Sequence, residues 1–276
     1  MYKRQVRAQF IASEPERLDK LVTANSKLSR KRARVVIERG GVRVDGKVQR
    51  RASHPVPQGA LVEIRGSAPP KKSASAELPE RYRDRWLLVV DKPSGLPSQP
   101  TRQGHAQHLY GILQGRESYV GLHHRLDTPA SGLVMVTLDR SVNKAITDGF
   151  REGRIHRRYL AVVVGDPGEA GTWDAPLDDR SATTHWRRLG SGEGLALLEC
   201  TLETGRTHQI RRHAAGAGVP IVGDRRHGSA AGRLWPRLAL HAAGLSLAHP
   251  RSGEDLRVDS PVPDDLQELV ASCSDG

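Results

Sequence analysis

The spacing of apolar residues in the first quarter of the chain predicts two helices followed by a small sheet. Residues 18–22 and 33–37 carry apolar side chains at helical spacing, and Gly40-Gly41 is expected to end the second helix. Residues 42–48 alternate around an Asp-Gly pair, which is typical of a β-hairpin. Residues 61–64 are expected to form a closing strand. The pattern therefore predicts a small α+β unit.

Short apolar runs in the remainder of the chain predict many strands and few helices. The expected strands lie at residues 86–90, 133–138, 157–164, 198–202, 221–224 and 238–247. The expected helices lie at residues 141–150, between a cap at Thr207 and a stop at Gly216, and at residues 264–272. Such an order favours an α+β fold with a mixed, largely antiparallel central sheet.

The composition suits a globular protein of one large and one small domain, with 276 residues that are 37% apolar and 27% charged. No run approaches the ~20 apolar residues of a membrane-spanning helix. The basic N-terminus lacks the apolar core of a secretory signal. Cys200 and Cys273 have neither zinc-site nor disulfide spacing. These features predict a cytoplasmic protein without membrane association.

The net charge of +12 is concentrated near the N-terminus. Residues 1–72 contain 18 Lys and Arg against 6 Asp and Glu, and the remaining residues carry no net charge. This asymmetry favours a polyanion-binding module over a solvated basic surface without a partner. Residues 67–83, which begin with a Pro- and Ser-rich stretch, are expected to link a domain at 1–66 to one at 84–276.

The densest group of titratable side chains precedes the strand expected at residues 133–138. His123, His124, Arg125 and Asp127 lie within five consecutive residues. A carboxylate beside a buried strand is unfavourable unless a cation pairs with it. Three interpretations stay open here: a metal site, a structural turn residue, and a nucleophile or general base oriented by an arginine. The spacing lacks a HExxH-like pattern, which disfavours the metal site.

Other polar residues also allow more than one interpretation. Lys92 follows an expected strand and could contact a phosphate, although most lysines at such positions are exposed and solvated. Tyr159 and His241 lie on expected strands, where a core role is the more common one. Six hydrogen-bonding side chains surround the first turns of the helix after Thr207, where a guanidinium could hold a carboxylate: Arg206, His208, Gln209, Arg211, Arg212 and His213.

Several segments, in order, resemble the RluA-type pseudouridine synthases. HRLD at residues 124–127, followed by SGL at 131–133, is similar to the family's aspartate motif. Its other motifs resemble residues 90–96, 158–161 and 203–213. Residues 15–66 resemble an S4-like RNA-binding domain through RLDKL, SRKRA and GVRVDGK. The resemblance implies a pseudouridine synthase fold preceded by a small α+β S4-like domain.

The resemblance also implies roles for individual residues. Asp127 would be the nucleophile, attacking C6 of the uracil or C1′ of the ribose. Tyr159 would lie against the target base and Arg211 would pair with Asp127, while Arg125 would enter the space left by the extruded uridine. Further substrate contacts are expected from Lys92, Arg206, His208, Gln209 and Ile210. RNA contacts of the first domain are expected from Arg30, Lys31, Arg32 and Arg34.

The expected function is isomerisation of specific uridines to pseudouridine in large-subunit (23S) ribosomal RNA, with transfer RNA as the nearest alternative substrate. Neither a cofactor nor a metal is expected, because the reaction transfers no electrons and no external group, and the chain is expected to be a monomer. Two other classes stay open: a non-catalytic RNA-binding or assembly factor and a metal-dependent phosphodiester hydrolase. Residues 128–130, Thr-Pro-Ala, depart from the family's usual sequence, so an altered fit to substrate is expected there.

Overall fold

A computed structural model describes residues 6–26, 28–38, 40–65, 78–100, 107–228 and 235–273. These residues divide into two compact units, the first within residues 1–76 together with Pro100 and Gln107, and the second in the rest of the chain. Each unit has its own buried apolar core. Within the described ranges, no helix has the length and apolar character needed to cross a membrane.

The first unit is a small α+β structure with an antiparallel sheet. Its described elements are β1 (Val6–Ile11), β2 (Glu16–Arg17), α1 (Leu18–Ala24), α2 (Arg30–Glu38), β3 (Val42–Val44), β4 (Lys47–Gln49), β5 (Pro55–Val56) and β6 (Leu61–Arg65). The sheet order is β1-β6-β3-β4, and β2 pairs with β5. The predicted hairpin is confirmed. Its turn residues, Asp45 and Gly46, have φ angles of 48° and 75°, as a type I′ turn requires.

Both helices of the first unit bury the faces that their apolar spacing predicts. Leu18 and Val22 of α1 and Ala33 and Ile37 of α2 are completely buried. They share one apolar cluster with Val62 of β6. The hydrophobic effect thus holds the helices on the sheet.

The second unit contains the remaining described elements. They are β7 (Glu80–Arg83), β8 (Leu87–Lys92), α3 (Leu109–Gln114), β9 (Gly121–Leu122), β10 (Ser131–Thr137), α4 (Asn143–Arg151), β11 (His156–Val164), β12 (Ala170–Trp173), β13 (Thr184–Gly192), β14 (Leu195–Leu202), α5 (Gln209–Gly216), β15 (Leu240–Ala248), β16 (Asp255–Asp259) and α6 (Asp264–Ala271). A 3-10 turn at Arg140–Val142 precedes α4.

One mixed sheet organises this unit, in the order β12-β13-β14-β11-β15-β10-β8-β7. In addition, β16 pairs with β15 and β9 pairs with β10. The pairing of β10 with β15 is parallel and the other pairings along the described sheet are antiparallel. The predicted mixed, largely antiparallel sheet is therefore confirmed.

Gly132 allows the backbones of β10 and β15 to meet. It has a φ of 111°, which side-chain-bearing residues rarely adopt. A Cβ atom at this position would lie 2.3 Å from the carbonyl oxygen of Ala242. This close approach fixes the start of β10, and so the end of the loop that carries Asp127.

The structure also corrects several predicted elements. The apolar pattern does not predict β7, β12, β13 and β16, because these strands carry few apolar residues and are held by pairing with their neighbours. β1 is absent from the prediction as well. Residues 221–224 form no strand; Ile221 makes an isolated bridge to Val163. α5 begins at Gln209, with His208 rather than Thr207 at its cap position.

Candidate active site

A cavity of about 450 Å³ lies where three segments of the second unit meet. The segments are the loop between β9 and β10, the start of β11, and the residues that lead into α5. The cavity brings together predicted site residues that are distant in sequence, namely Arg125, Asp127, Tyr159, Arg206, His208, Gln209, Ile210 and Arg211.

Asp127 is held by a buried arginine that bridges two carboxylates. Arg211, in the first turn of α5, donates from Nη1 to Oδ2 of Asp127 at 2.9 Å. The same guanidinium makes a bidentate pair with Asp224, with both distances at 2.8 Å. Arg211 is 4% exposed and Asp224 1%, whereas the Asp127 side chain is 21% exposed. The bridge therefore fixes the carboxylate of Asp127 without covering it.

Electrostatics favour the charged forms of both buried members of this bridge. Burial alone would lower the pKa of Arg211, but its bonds to Asp224 and Asp127 outweigh burial and raise that pKa. Burial would likewise raise the pKa of Asp224. The guanidinium and the backbone amides of Arg226 and His227 instead bring the pKa of Asp224 down to about 2. A permanent positive charge therefore lies beside Asp127.

Tyr159 forms the side of the cavity that belongs to β11. The residue is 5% exposed, and burial raises the pKa of its phenol, so the hydroxyl keeps its proton at neutral pH. Arg157, on the same face of the strand, also lines the cavity and lies 5.4 Å from the ring centre of Phe150. The three residues predicted to be catalytic, Asp127, Tyr159 and Arg211, thus surround one cavity.

The loop that carries Asp127 is clamped through its backbone carbonyl groups. The carbonyl of Asp127 accepts from the amide of Ala130 at 3.1 Å, which closes a turn. The other four carbonyls of residues 126–130 accept hydrogen bonds from residues 92–98, which include the last residue of β8 and the loop after it. Their donors are Ser98 Oγ, Gly95 N, Ser94 Oγ and Lys92 Nζ. Residues 92–98 therefore fix the backbone beneath Asp127.

Lys92 is the buried part of this clamp, and the expectation of an exposed loop lysine is wrong. It is the last residue of β8, and it is 0% exposed. Its ammonium group donates to four carbonyl oxygens, those of Pro93, Leu96, Thr128 and Ala130. Burial lowers the pKa of Lys92 to about 7, against the opposing charge of Asp127. An enclosed side chain supports the loop and does not reach a substrate, so the predicted substrate contact is corrected as well.

The two adjacent histidines hydrogen-bond within the fold. The ring nitrogens of His123 lie 3.0 Å from the hydroxyls of Thr137 and Thr147. Nε2 of His124 accepts from the amide of Met135 at 2.8 Å. Burial lowers the pKa of His124 to about 3, so its ring is neutral at neutral pH. The described part of the chain contains no cluster of three or more metal-ligating side chains.

His208 enters the cavity on a strained backbone. Its φ of 55° lies in the left-handed region, which is uncommon for residues other than glycine. Nε2 of its ring lies 3.8 Å from Oδ1 of Asp127, and Nδ1 lies 2.9 Å from Nε2 of His227. The predicted site residue is therefore beside the aspartate, with a histidine partner that the sequence does not suggest.

The other predicted contacts all line the cavity, namely Arg125, Arg206, Gln209 and Ile210. The exposed Arg125 donates to Thr207 at 3.2 Å. Gln209 is buried, and its side-chain amide nitrogen donates to the carbonyl of Thr183 and the hydroxyl of Thr184. Its amide oxygen accepts from Thr204 and from the backbone amide of Arg206, just before α5. The polar atoms of Gln209 are thus engaged within the protein, and its contact with substrate stays a prediction.

In the first unit, three surface arginines pair with one buried carboxylate. Asp19 is completely buried, and guanidinium nitrogens of Arg17, Arg30 and Arg34 lie within 3.6 Å of it. The three arginine side chains are about half exposed. Two further predicted RNA contacts have side chains outside the described part of the structure, Lys31 and Arg32.

Comparison with known proteins identifies a family with this fold. A family model described as RNA pseudouridylate synthase matches residues 86–216, and an S4 domain model matches residues 16–62. Ribosomal large subunit pseudouridine synthase D of Xanthomonas campestris is 35% identical over 282 residues, covering 88% of this chain and 84% of that protein. The chain belongs to the RNA pseudouridylate synthase family.

This pseudouridylate synthase has further relatives among known sequences and structures. An RNA pseudouridine synthase of Chloroflexus aurantiacus is 36% identical over 288 residues, covering 94% of this chain and 90% of that protein. The structure of human RNA pseudouridylate synthase domain containing 1 matches with a TM-score of 0.61 at 25% identity, covering 74% of this chain and 91% of that one. The enzyme is therefore an isomerase, and the predicted resemblance to RluA-type synthases with an S4-like domain is confirmed.

The sequence interpretation of this synthase omits several residues that shape the site. Asp224 anchors the arginine bridge, Ser94 and Ser98 clamp the Asp127 loop, and His227 holds His208. Two of them have a sequence signal. Ser94 lies in the motif segment at residues 90–96, and an acidic residue directly after Ile-Val-Gly, as Asp224 is, is expected to be buried and to need a cation.

Proposed function

We propose that this synthase isomerises uridines of large-subunit ribosomal RNA, with Asp127 as the nucleophile. The observation that carries the proposal is the Arg211 bridge. It bonds Oδ2 of Asp127 and leaves Oδ1 for attack on a carbon atom of the target nucleotide. The RNA class is supported by the relative from Xanthomonas campestris, whose name designates the large ribosomal subunit.

In the proposed reaction Oδ1 of Asp127 forms a transient bond to the nucleotide, the C1′–N1 bond breaks, the uracil turns within the cavity, and a C1′–C5 bond forms. The bond to Asp127 breaks again before the product leaves, which regenerates the carboxylate. One proton leaves C5 and one is taken up at N1, so the product is an isomer of the substrate and no oxidant, reductant or group donor is consumed. The target base must leave its stack to reach Asp127. In this proposal the ring of Tyr159 provides an apolar surface for that base, and Arg125 fills the space that the base leaves.

We also propose that residues 1–66 form an S4-like RNA-binding domain that precedes the catalytic domain. The predicted linker at 67–83 and the predicted start of the catalytic domain at residue 84 are corrected, because β7 (Glu80–Arg83) already pairs with β8 in the central sheet. The net charge of +12 within residues 1–72 supports this division, because lysines and arginines bind phosphate groups. The cytoplasmic location, the monomeric state and the absence of a cofactor stay predictions from the sequence.

Asp127→Asn tests the nucleophile. The variant should bind RNA and unfold at the same temperature as the wild-type protein but form no pseudouridine, because an amide cannot act as the nucleophile. Asp178→Asn is the matched control, since Asp178 pairs with the neighbouring Arg212 at 2.9 Å and is exposed outside the cavity. Full pseudouridine formation by Asp127→Asn would refute the mechanism. Loss of activity in both variants would show that the effect is not specific to Asp127 and would also contradict the proposal.

Site-resolved mapping of pseudouridine tests the RNA class. Total RNA from cells that lack the enzyme is incubated with the purified full-length protein. New pseudouridine should appear at discrete uridines of large-subunit ribosomal RNA. Modification confined to transfer RNA would contradict the proposed substrate and leave the reaction intact.

A further inference from the structure

Asp127 faces a second polar group, beside the carboxylate oxygen that Arg211 does not bond. This group is the imidazole pair of His208 and His227, whose nearest nitrogens lie 2.9 Å apart. The rings meet edge to face, with their centres 5.1 Å apart and their planes at 74°. Nε2 of His208 lies 3.8 Å from Oδ1 of Asp127, the oxygen that Arg211 does not bond. The proposed reaction does not so far use this pair.

The geometry selects one arrangement of protons in the pair. A single hydrogen bond joins Nδ1 of His208 to Nε2 of His227, so one of these nitrogens carries a proton and the other a lone pair. If His208 were the donor, the lone pair on its Nε2 would face the carboxylate of Asp127 and repel it. If His227 is the donor, His208 carries its proton on Nε2 and presents an N–H to Asp127, which is attractive.

The pair is anchored on the same residue as the arginine bridge. Oδ1 of Asp224 accepts from the backbone amide of His227 at 3.0 Å and also from Nη2 of Arg211 at 2.8 Å. Two arms therefore lead from Asp224 to Asp127, one through Arg211 and one through the two imidazoles. The left-handed backbone of His208 is a strained conformation that the surrounding structure must maintain, as is common at functional sites.

We propose that His208 and His227 are positioning residues for Asp127: His227 donates to Nδ1 of His208, and His208 presents its Nε2–H to Oδ1 of the carboxylate. At 3.8 Å the N–H attracts Oδ1 electrostatically but forms no hydrogen bond, so Oδ1 keeps its lone pairs for attack. The proposal rests on the nucleophilic role proposed for Asp127 and deepens it, because each carboxylate oxygen is then oriented by a separate arm.

The ionisation of the pair agrees with this arrangement. Burial lowers the pKa of both His208 and His227, so both rings are neutral at neutral pH. The charged groups that face the pair are two aspartates, which oppose this lowering, and three arginines, which reinforce it: Asp127, Asp224, Arg211, Arg212 and Arg226. A donor at Nδ1 of His208 also prevents a proton from binding there. Removal of that donor should therefore raise the pKa of His208.

Two substitutions of His227 separate positioning from a merely structural role. In His227→Gln the side-chain amide reaches as far as Nε2 of the imidazole and can donate to His208. His227→Leu has a similar volume and no donor. His185→Leu is the control, because His185 is also hydrogen-bonded to neighbouring side chains but lies on β13, outside the cavity. The full-length proteins are compared by kcat and KM for RNA, by thermal unfolding, and by nitrogen NMR of their histidine rings.

The wild-type spectrum should show His208 neutral, with its proton on Nε2. His227→Leu should raise the pKa of His208 and lower kcat roughly tenfold at unchanged KM, the effect of a small misplacement of a reacting group. His227→Gln should restore both quantities, and His185→Leu should change neither. A proton on Nδ1 of His208 in the wild-type protein, or equal behaviour of the Leu and Gln variants, would overturn the proposal. The NMR measurement needs no RNA, so its outcome is independent of the proposed substrate and reaction.

Discussion

The surroundings of the His124 side chain keep its imidazole ring uncharged. Its Nε2 accepts from the amide of Met135, its ring lies 4.9 Å from that of Phe150, and its Nδ1 is buried without a hydrogen-bond partner. Protonation would place a positive charge near Arg157, which adds to the effect of burial on the pKa. The ring is therefore a neutral acceptor that holds the start of the loop against β10.

Acidification should destabilise the protein through this residue, and His124→Gln should remove much of that effect. The unfolded chain binds the proton near pH 6.5, whereas the folded ring binds it only near pH 3, so the free energy of unfolding falls as the pH drops below 6.5. A glutamine oxygen can still accept from Met135. Chemical denaturation between about pH 7 and about pH 4 measures the effect. The free energy of unfolding should fall further in the wild-type protein than in His124→Gln, by an amount on the order of a few kcal/mol. Equal losses in the two proteins would contradict this account.

The predictability of single residues depends on where their partners lie in the sequence. The positions of Asp127, Tyr159 and Arg211 follow from ordered motifs, and all three surround the cavity. The burial of Lys92 does not follow, because its acceptors at Thr128 and Ala130 lie 36 and 38 residues away. Spacing indicates the side of a strand on which a residue lies, but not which distant loop covers it.

Among the strands, β10 connects the central sheet to the active site, and Gly132 is the residue where the two meet. It pairs with Lys92 on one side of β10 and with Ala242 on the other, where the strands run parallel. The loop before it places Asp127, so any shift of β10 is transmitted to the carboxylate. A run of apolar residues predicts β10, and Gly132 belongs to the SGL motif, but the sequence does not show which backbone lies against this glycine.

Gly132→Ala should destabilise the enzyme and reduce its activity, because the new Cβ would lie 2.3 Å from a backbone oxygen at a φ of 111°. We expect a loss of more than about 2 kcal/mol, as is typical of alanine in an incompatible backbone position. Gly216→Ala is the control. Gly216 ends α5 with open space around it, so alanine there should be neutral or stabilise by up to about 1 kcal/mol. Thermal and chemical denaturation measure both, and equal effects would disprove the steric argument.

Across the whole molecule, the net positive charge is concentrated in the N-terminal part of the sequence. Residues 1–72 carry the entire net charge of +12, and the remaining residues are neutral overall. Asp19 orders Arg17, Arg30 and Arg34 in the first unit, and this ordering would lower the entropy that they lose on binding phosphates. The charge asymmetry is readable from sequence, whereas the buried carboxylate beneath the arginines is not.

The salt dependence of RNA binding should therefore reside in the first unit. The double variant Arg30→Gln, Arg34→Gln should flatten the slope of log affinity against log salt concentration by about 1 to 2, because each phosphate contact to single-stranded or duplex nucleic acid contributes roughly 0.7 to 0.9. Arg17 still pairs with Asp19 in this variant, and thermal unfolding verifies its fold. Lys144→Gln, Arg154→Gln removes the same charge from exposed positions outside the cavity and should leave the slope unchanged. If both double variants flatten the slope equally, RNA responds to the overall charge and not to the arginines around Asp19.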